Sequence, residues 1–232
     1  MALPKQQLAV FTTVIPSTKK KIKFRGFTIR EEKTLLLAQE SEDADVILNC
    51  VKNILESCIA DKVNVEDMTM FDIEYLMTHI RSKSVGEVIQ LRMPCDVDEN
   101  HERSLVGVDV SKIEVKFPEG HETLIHLYDD VSVQMKYPSI RDIVALETAT
   151  GLDAVVMCID KIITNAEVYE AKDETKEELL DFVESLTKEQ LQRIEDKFFM
   201  KMPVFEHELT YKCKTCGHEH VKIIRGLSNF FG

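Results

Sequence analysis

The chain has 232 residues, of which 44% are hydrophobic and 30% are charged, so it can bury a sizeable core in one large or two small domains. Its formal net charge of −12 opposes sequence-independent binding to nucleic acid, which needs a positive surface. No apolar run is long enough to cross a bilayer, and the first residues lack the pattern of a signal peptide. We therefore expect neither a membrane span nor secretion.

The first region, residues 1–83, is predicted to combine short strands with helices. Two segments within residues 7–27 are rich in β-branched and aromatic residues, which favours a pair of strands. Thr28 then begins a helix, because Thr28 and Glu31 have the spacing of a capping box. Two further helices follow: one with an apolar stripe from Val46 to Ile59, the other over about 69–82.

The two central regions differ in their hydrophobic period. Residues 84–137 alternate with period two, which predicts an antiparallel meander of four strands. Residues 138–202 return to a helical pattern, within which Leu152–Ile163 is apolar on nearly all sides and predicts a buried segment. The region ends in a predicted helical hairpin, whose second helix begins with a capping box formed by Thr187 and Gln190.

The last region, residues 203–232, alternates like a β-hairpin around a cysteine-containing turn. The predicted fold class is therefore α+β, with helices packed around a central antiparallel meander and a zinc-knuckle-like hairpin at the C-terminus. We expect one integrated body that carries this small terminal module.

The terminal turn holds the best candidate site of the chain. Cys213 and Cys216 are separated by two residues and followed by Gly217, and a CxxCG turn is typical of a zinc knuckle in which two thiolates converge on one metal ion. A tetrahedral structural zinc site needs two more ligands, which Cys95 or a second chain could also supply. The histidines nearest the turn are the main candidates: His207, His218 and His220.

Other interpretations of the turn stay open. Cys213 and Cys216 could simply be reduced thiols that bind no metal. Three other cysteines, Cys50, Cys58 and Cys158, lie on apolar helix stripes, as expected for a protein of a reducing compartment. A redox pair is disfavoured because the motif does not open a helix after a strand, and a catalytic zinc is disfavoured because there is no HExxH. The sequence also lacks GxSxG, Walker A and GxGxxG motifs. The remaining histidines are interpreted as surface or core residues: His79, His101, His121 and His126.

Several segments, in order along most of the chain, resemble one known family. They are PSTKKKIKFRGFTIREEKTLLLAQES, FDIEYLMTHIRSKSVGEVIQL, FPEGH, MKYPS and the ending that begins CxxCGHEH. Together they are similar to the baseplate hub subunit family of T4-like tailed bacteriophages. The resemblance implies a non-enzymatic protein that is either a subunit of the hub or a factor (a chaperone) that assembles it.

The resemblance also implies partners and a location. The partners would be other hub proteins, with pairing between copies of the chain left open, and Phe230 and Phe231 could make such contacts or fold back onto the body. The protein would act in the host cytoplasm during assembly and could stay in the tail baseplate. One alternative is a zinc-ribbon module that binds nucleic acid, favoured only by a local basic cluster of Lys212, Lys214, Lys222 and Arg225; another is a metallohydrolase.

Overall fold

The computed structural model of the protein describes residues 7–41 and 43–226. It contains both helices and antiparallel sheets, which confirms the α+β class. The expected roles of Phe230 and Phe231 lie outside the described residues. None of the helices among those residues has the length and apolar character required to span a membrane.

The helices and strands follow the predicted order over much of the chain. The helices are α1 (Ile29–Glu40), α2 (Ala44–Cys58), α3 (Met70–Ser82), α4 (Ile140–Thr148), α5 (Gly151–Met157), α6 (Lys176–Glu184) and α7 (Lys188–Lys197). The strands are β1 (Val10–Val14), β2 (Lys21–Arg25), β3 (Val88–Met93), β4 (Ser104–Asp109), β5 (Val115–Lys116), β6 (Leu124–Tyr128), β7 (Val131–Met135), β8 (Ile159–Ile163), β9 (Val168–Glu170), β10 (Val204–Lys212) and β11 (Glu219–Arg225).

The chain divides into two compact units, each built from segments that are distant in sequence. The first unit contains Met1–Val65, Phe71–Val115 and Phe205–Gly232, and the second contains Glu66–Met70 and Lys116–Val204. The ionisable residues divide unevenly: the second unit holds 21 Asp and Glu against 10 Lys and Arg, whereas the first holds 20 against 19. Nearly all of the net charge of −12 therefore belongs to the second unit.

The first unit packs its helices and hairpins around side chains from α2 and α3. The α2 stripe buries Ile54, Leu55 and Cys58, and α3 buries Leu76 and Ile80, as the helical period predicts. The pairs β1–β2, β3–β4 and β10–β11 are antiparallel, and β10 lies between β11 and β5 in a three-stranded sheet. This arrangement brings the loop between β3 and β4 and the terminal hairpin into the same unit.

A buried carboxylate ties the N-terminal hairpin of this unit to α3. Asp72 is 1% exposed and accepts hydrogen bonds from the backbone amide of Ser17, at 2.9 Å, and from the Ser17 hydroxyl. Thr13 and Tyr75 form a second hydrogen bond between the same elements, at 2.9 Å. A buried carboxylate without hydrogen-bond partners would destabilise the fold. Ser17, in the turn that follows β1, supplies these partners to Asp72.

The second unit packs α5, α6 and α7 against a four-stranded antiparallel sheet in the order β6, β7, β8, β9. Its core includes Ile125, Val133, Val156 and Ile194, with the fully buried ring of Phe198 among them. Capping boxes begin four of its helices. The box at Thr187 and Gln190 is confirmed.

The structure corrects the predicted four-stranded meander over residues 84–137. β3 pairs only with β4 among the described strands, whereas β6 and β7 continue into β8 and β9, which lie beyond that region. The segment Leu152–Ile163 is not a single buried helix, because its second half forms β8. β-Branched isoleucines favour a strand there, and β7 supplies the backbone partners.

Candidate metal centre

The terminal hairpin holds its cysteine turn in a defined shape. β10 and β11 pair from Glu206 with Arg225 to Lys212 with Glu219. Beyond the last pair, the amide of Cys213 donates to the carbonyl of His218 and the amide of Gly217 donates to the carbonyl of Cys213, both at 2.9 Å. Gly217 has a φ of 70°, a left-handed conformation that side chains resist. The turn therefore brings the sulfurs of Cys213 and Cys216 close together.

The loop between β3 and β4 brings two further side chains of the metal-ligating type to this turn. Ser104 joins the two segments: its hydroxyl donates to the carbonyl of Lys212 and accepts from the amide of Lys214, at 3.3 and 3.2 Å. The same loop places Cys95 and His101 beside the cysteines. The resulting four-donor cluster, in which all ligand atoms lie within 4.8 Å of one another, consists of Cys95, His101, Cys213 and Cys216.

Three of the spacings within the four-donor cluster agree with a tetrahedral zinc site. With zinc–sulfur bonds near 2.3 Å and zinc–nitrogen bonds near 2.05 Å, the edges of the tetrahedron are about 3.8 Å between sulfurs and about 3.6 Å between sulfur and nitrogen. Sγ of Cys95 lies 3.8 Å from Sγ of Cys216. Nδ1 of His101 lies 3.4 Å from Sγ of Cys95 and 3.7 Å from Sγ of Cys213. Three sulfurs and one imidazole also form a donor set that suits zinc.

The surroundings of two of the sulfurs favour the thiolate, the form that binds metal. The backbone amide of Cys216, with that of Thr215, lowers the pKa of Cys213 to about 6. Burial opposes ionisation of Cys95, but the contact with His101 and nearby backbone amides outweigh it and lower its pKa. At Cys216 the amide of His218 favours the thiolate, yet burial and the neighbouring sulfurs together raise the pKa.

The structure separates the predicted ligands. Cys213 and Cys216 belong to the cluster, whereas the three candidate histidines of the hairpin do not. His220 is buried and directs Nε2 toward Cys95 at 3.5 Å, and His218 is exposed with its ring centroid 4.8 Å from that of His220. His207 lies on β10, which ends one residue before Cys213; six steps of extended chain separate the two residues, a distance of about 20 Å.

Sequence reasoning left Cys95 open as a ligand and missed His101. His101 was interpreted as a surface or core residue, since the linear sequence offers no strong pattern that links it to the terminal turn. A usable signal was present: five residues lie between Cys95 and His101 within one polar stretch, Pro94–Arg103, so that one loop could supply two ligands.

Three of the four basic residues that favoured nucleic-acid binding lie beside carboxylates. Nζ of Lys222 is 2.6 Å from Asp96, and Arg225 forms an ion pair with Glu206, also at 2.6 Å. Nζ of Lys212 lies 3.6 Å from Glu219. The charges of these three residues are therefore balanced locally, which weakens the argument for a nucleic-acid surface at the hairpin.

Comparison with known proteins defines the class of protein. The profile of the family described as T4 bacteriophage base plate protein matches residues 8–232, and the chain belongs to that family. The curated baseplate hub assembly protein gp26 of Enterobacteria phage T4 is 28% identical over 219 residues, which cover 90% of this chain and 92% of the relative. No solved structure matches. The family confirms the resemblance seen in the sequence.

Proposed function

We propose that the chain is a protein of baseplate hub assembly that acts through contacts with other hub proteins and without catalysis. The observation that carries this proposal is the relative named a hub assembly protein, which matches nearly the full length of both chains. Membership of a base plate family supports a location in the tail baseplate, and we propose that the chain reaches it from the host cytoplasm. The proposal also includes self-association of the chain into a homo-oligomer.

Co-expression tests this function directly. The tagged protein, produced together with the neighbouring hub proteins of its phage, should retain at least one of them through size-exclusion chromatography. Counting its copies in purified virions by quantitative mass spectrometry distinguishes a hub subunit from an assembly factor that leaves. Virion assembly that proceeds normally after deletion of the gene would contradict either role.

We also propose that the four-donor cluster holds a structural zinc ion. The observation that carries it is the agreement between three of the cluster's spacings and the edges of a zinc tetrahedron. Zinc would join the loop of residues 94–103 to the terminal hairpin, because each segment supplies two ligands. A bond of this kind would keep both segments in one arrangement for a partner.

Metal analysis tests the zinc proposal. The protein purified without added metal should contain about one equivalent of zinc, and Cys95→Ser, His101→Ala or Cys213→Ser should remove most of it. Cys50→Ala, a buried cysteine on α2, is the matched control and should keep the metal. Less than about half an equivalent in the unmodified protein would refute a structural zinc site.

A further inference from the structure

His220 is the predicted ligand that lies closest to the four-donor cluster without belonging to it. It is 4% exposed on β11, and its ring stacks on Tyr211 with centroids 5.1 Å apart. The ring of His218 meets it edge-on at 4.8 Å. Aromatic contacts of this kind leave the imidazole of His220 little freedom to turn.

Both nitrogens of this ring face polar atoms of the β3–β4 loop. Nε2 lies 3.5 Å from Sγ of Cys95, and Nδ1 lies 3.4 Å from Oδ2 of Asp96. The other oxygen of Asp96 lies 2.6 Å from Nζ of Lys222, which follows two residues after His220 on the same face of β11. Asp96, which is held by Lys222, thus orients the ring of His220 at Nδ1. Nε2 of the same ring contacts the sulfur of Cys95.

These contacts are part of a set that fixes three successive residues of the loop. The hydroxyl of Tyr211 donates to the carbonyl of Pro94 at 2.6 Å. The next two residues are held by β11: Cys95 by His220, and Asp96 by His220 and Lys222. The hairpin therefore positions the sulfur of Cys95 through side chains that are not metal ligands.

The geometry of the cluster also argues against His220 as a ligand. Four donors, the number that a tetrahedral zinc site takes, already lie within 4.8 Å of one another, and Nε2 of His220 is not among them. A histidine that touches a ligand sulfur and a carboxylate, instead of the metal, has the place of an outer partner that orients the ligand.

We propose that His220 is a positioning residue of the zinc centre, which holds the Cys95 sulfur from outside the metal shell and is oriented by Asp96 and Lys222. The proposal rests on the zinc site proposed above. Because outer partners of this kind typically contribute 10- to 100-fold to metal affinity, His220→Leu should weaken zinc binding by roughly that factor. The variant should nevertheless bind zinc through the same three sulfurs and one nitrogen.

The test combines affinity with coordination. Zinc affinity is measured by competition with a chromogenic chelator, and the donor set is measured by X-ray absorption on zinc and by the visible spectrum of the cobalt-substituted protein. His220→Gln retains an amide near the position of Nε2 and should recover part of the lost affinity. His207→Leu, a matched change on the paired strand, should bind zinc like the unmodified chain. His101→Leu should instead lose the nitrogen ligand.

Each outcome decides the proposal. Unchanged affinity in His220→Leu, or loss of the nitrogen ligand in that variant while His101→Leu keeps it, would overturn the positioning role and leave the zinc site in place. An unmodified protein that binds no zinc would overturn both. If the melting curve shows that His220→Leu does not fold, Asp96→Asn carries the test, and it should lower affinity in the same direction with an unchanged donor set.

Discussion

Individual side chains in the first unit show how closely its segments approach. A Cβ built on Gly26 would lie 2.9 Å from Oγ of Ser84 and 3.0 Å from the carbonyl of Lys83. Oγ of Ser84 is already engaged, since it accepts from the amide of Phe27 at 2.8 Å and donates to the carbonyl of Ile80 at 2.6 Å. Only glycine fits beside this hydrogen-bonded serine.

Gly26→Ala should therefore destabilise the first unit. Because the added methyl group meets backbone as well as the serine, we expect a loss of about 1–3 kcal/mol in the free energy of unfolding, measured by urea denaturation. Gly151→Ala is the control, since a Cβ there meets nothing within 4 Å and should be neutral or slightly stabilising. Equal stability of the two variants would show that the contact at Gly26 has no energetic consequence.

The capping residue Glu31 also forms an ion pair that the sequence pattern did not predict. It accepts from the backbone of Thr28 at 2.6 Å, as the capping box requires, and it also binds Arg25 through both oxygens, at 2.6 and 3.0 Å. The hydrogen bonds from Arg25, followed by those from Thr28, lower the pKa of Glu31 to about 2.

This pKa predicts a defined pH dependence for Glu31→Gln. A carboxyl whose pKa is depressed on folding stabilises the fold above its ordinary value near 4.5, and that contribution disappears as the pH falls from there toward about 2. The variant should be less stable by roughly 0.5–1 kcal/mol at neutral pH and equal to the unmodified protein at the acid end. Glu56→Gln, on the exposed face of α2, should show no such convergence in thermal melts.

At the scale of elements, helices with an apolar stripe were predicted most accurately. The structure confirms helices at α1, α2, α3, α6 and α7, and it confirms the capping box Thr187–Gln190. At Thr28–Glu31 it shows one half of the box, the bond from the amide of Thr28 to Glu31. Burial was less predictable than helix formation: Leu35 is buried on α1, whereas Leu36 and Leu37 are more than half exposed. Which side of a helix is covered depends on its neighbours.

The capping box of α7 gives a test of one element. The amide of Thr187 donates to Gln190, and the amide of Gln190 donates to the Thr187 hydroxyl. Thr187→Ala should lower the free energy of unfolding by about 1 kcal/mol, and Thr187→Ser should restore it. Failure of serine to rescue the alanine variant would mean that the methyl group of Thr187, and not its hydroxyl, stabilises the helix.

Strands were harder to assign, because their pairing is decided by distant residues. Both segments of the β10–β11 hairpin were predicted, since a short turn joins them. The second partner of β7, besides β6, is β8, which follows two helices later and lies in a segment with a helical pattern. Alternation of apolar and polar residues indicates a strand but does not identify the strand with which it pairs. The proposed division into four regions stays a prediction.

At the scale of the whole molecule, the zinc proposal predicts a local response to metal removal. Chelation should increase amide hydrogen exchange in the loop of residues 94–103 and in the turn of residues 213–217, because zinc would join these segments. Amides of α6 and α7, which belong to the second unit, should keep their protection. Exchange that rises equally in both units, or in neither, would contradict a local structural role for the metal.

The distribution of charge predicts that the protein does not bind nucleic acid. The second unit carries 21 acidic against 10 basic residues, and three cations of the terminal hairpin lie beside carboxylates. We expect no retention of duplex DNA in a gel-shift assay, even at low salt where phosphate contacts are strongest. DNA binding that weakens steeply with added salt would instead support the alternative of a nucleic-acid-binding module.

The sequence by itself determined the α+β class, most helices, the terminal hairpin and the cysteine pair of the candidate site, because these depend on periods, caps and spacings within a few residues. Its resemblance to a phage baseplate family also survived comparison with known proteins. Only the tertiary structure decided that Cys95 and His101 complete the four-donor cluster and that His220 lies outside it. The physical reason is distance along the chain: more than 100 residues separate the two halves of the cluster, and folding of the first unit alone brings them together.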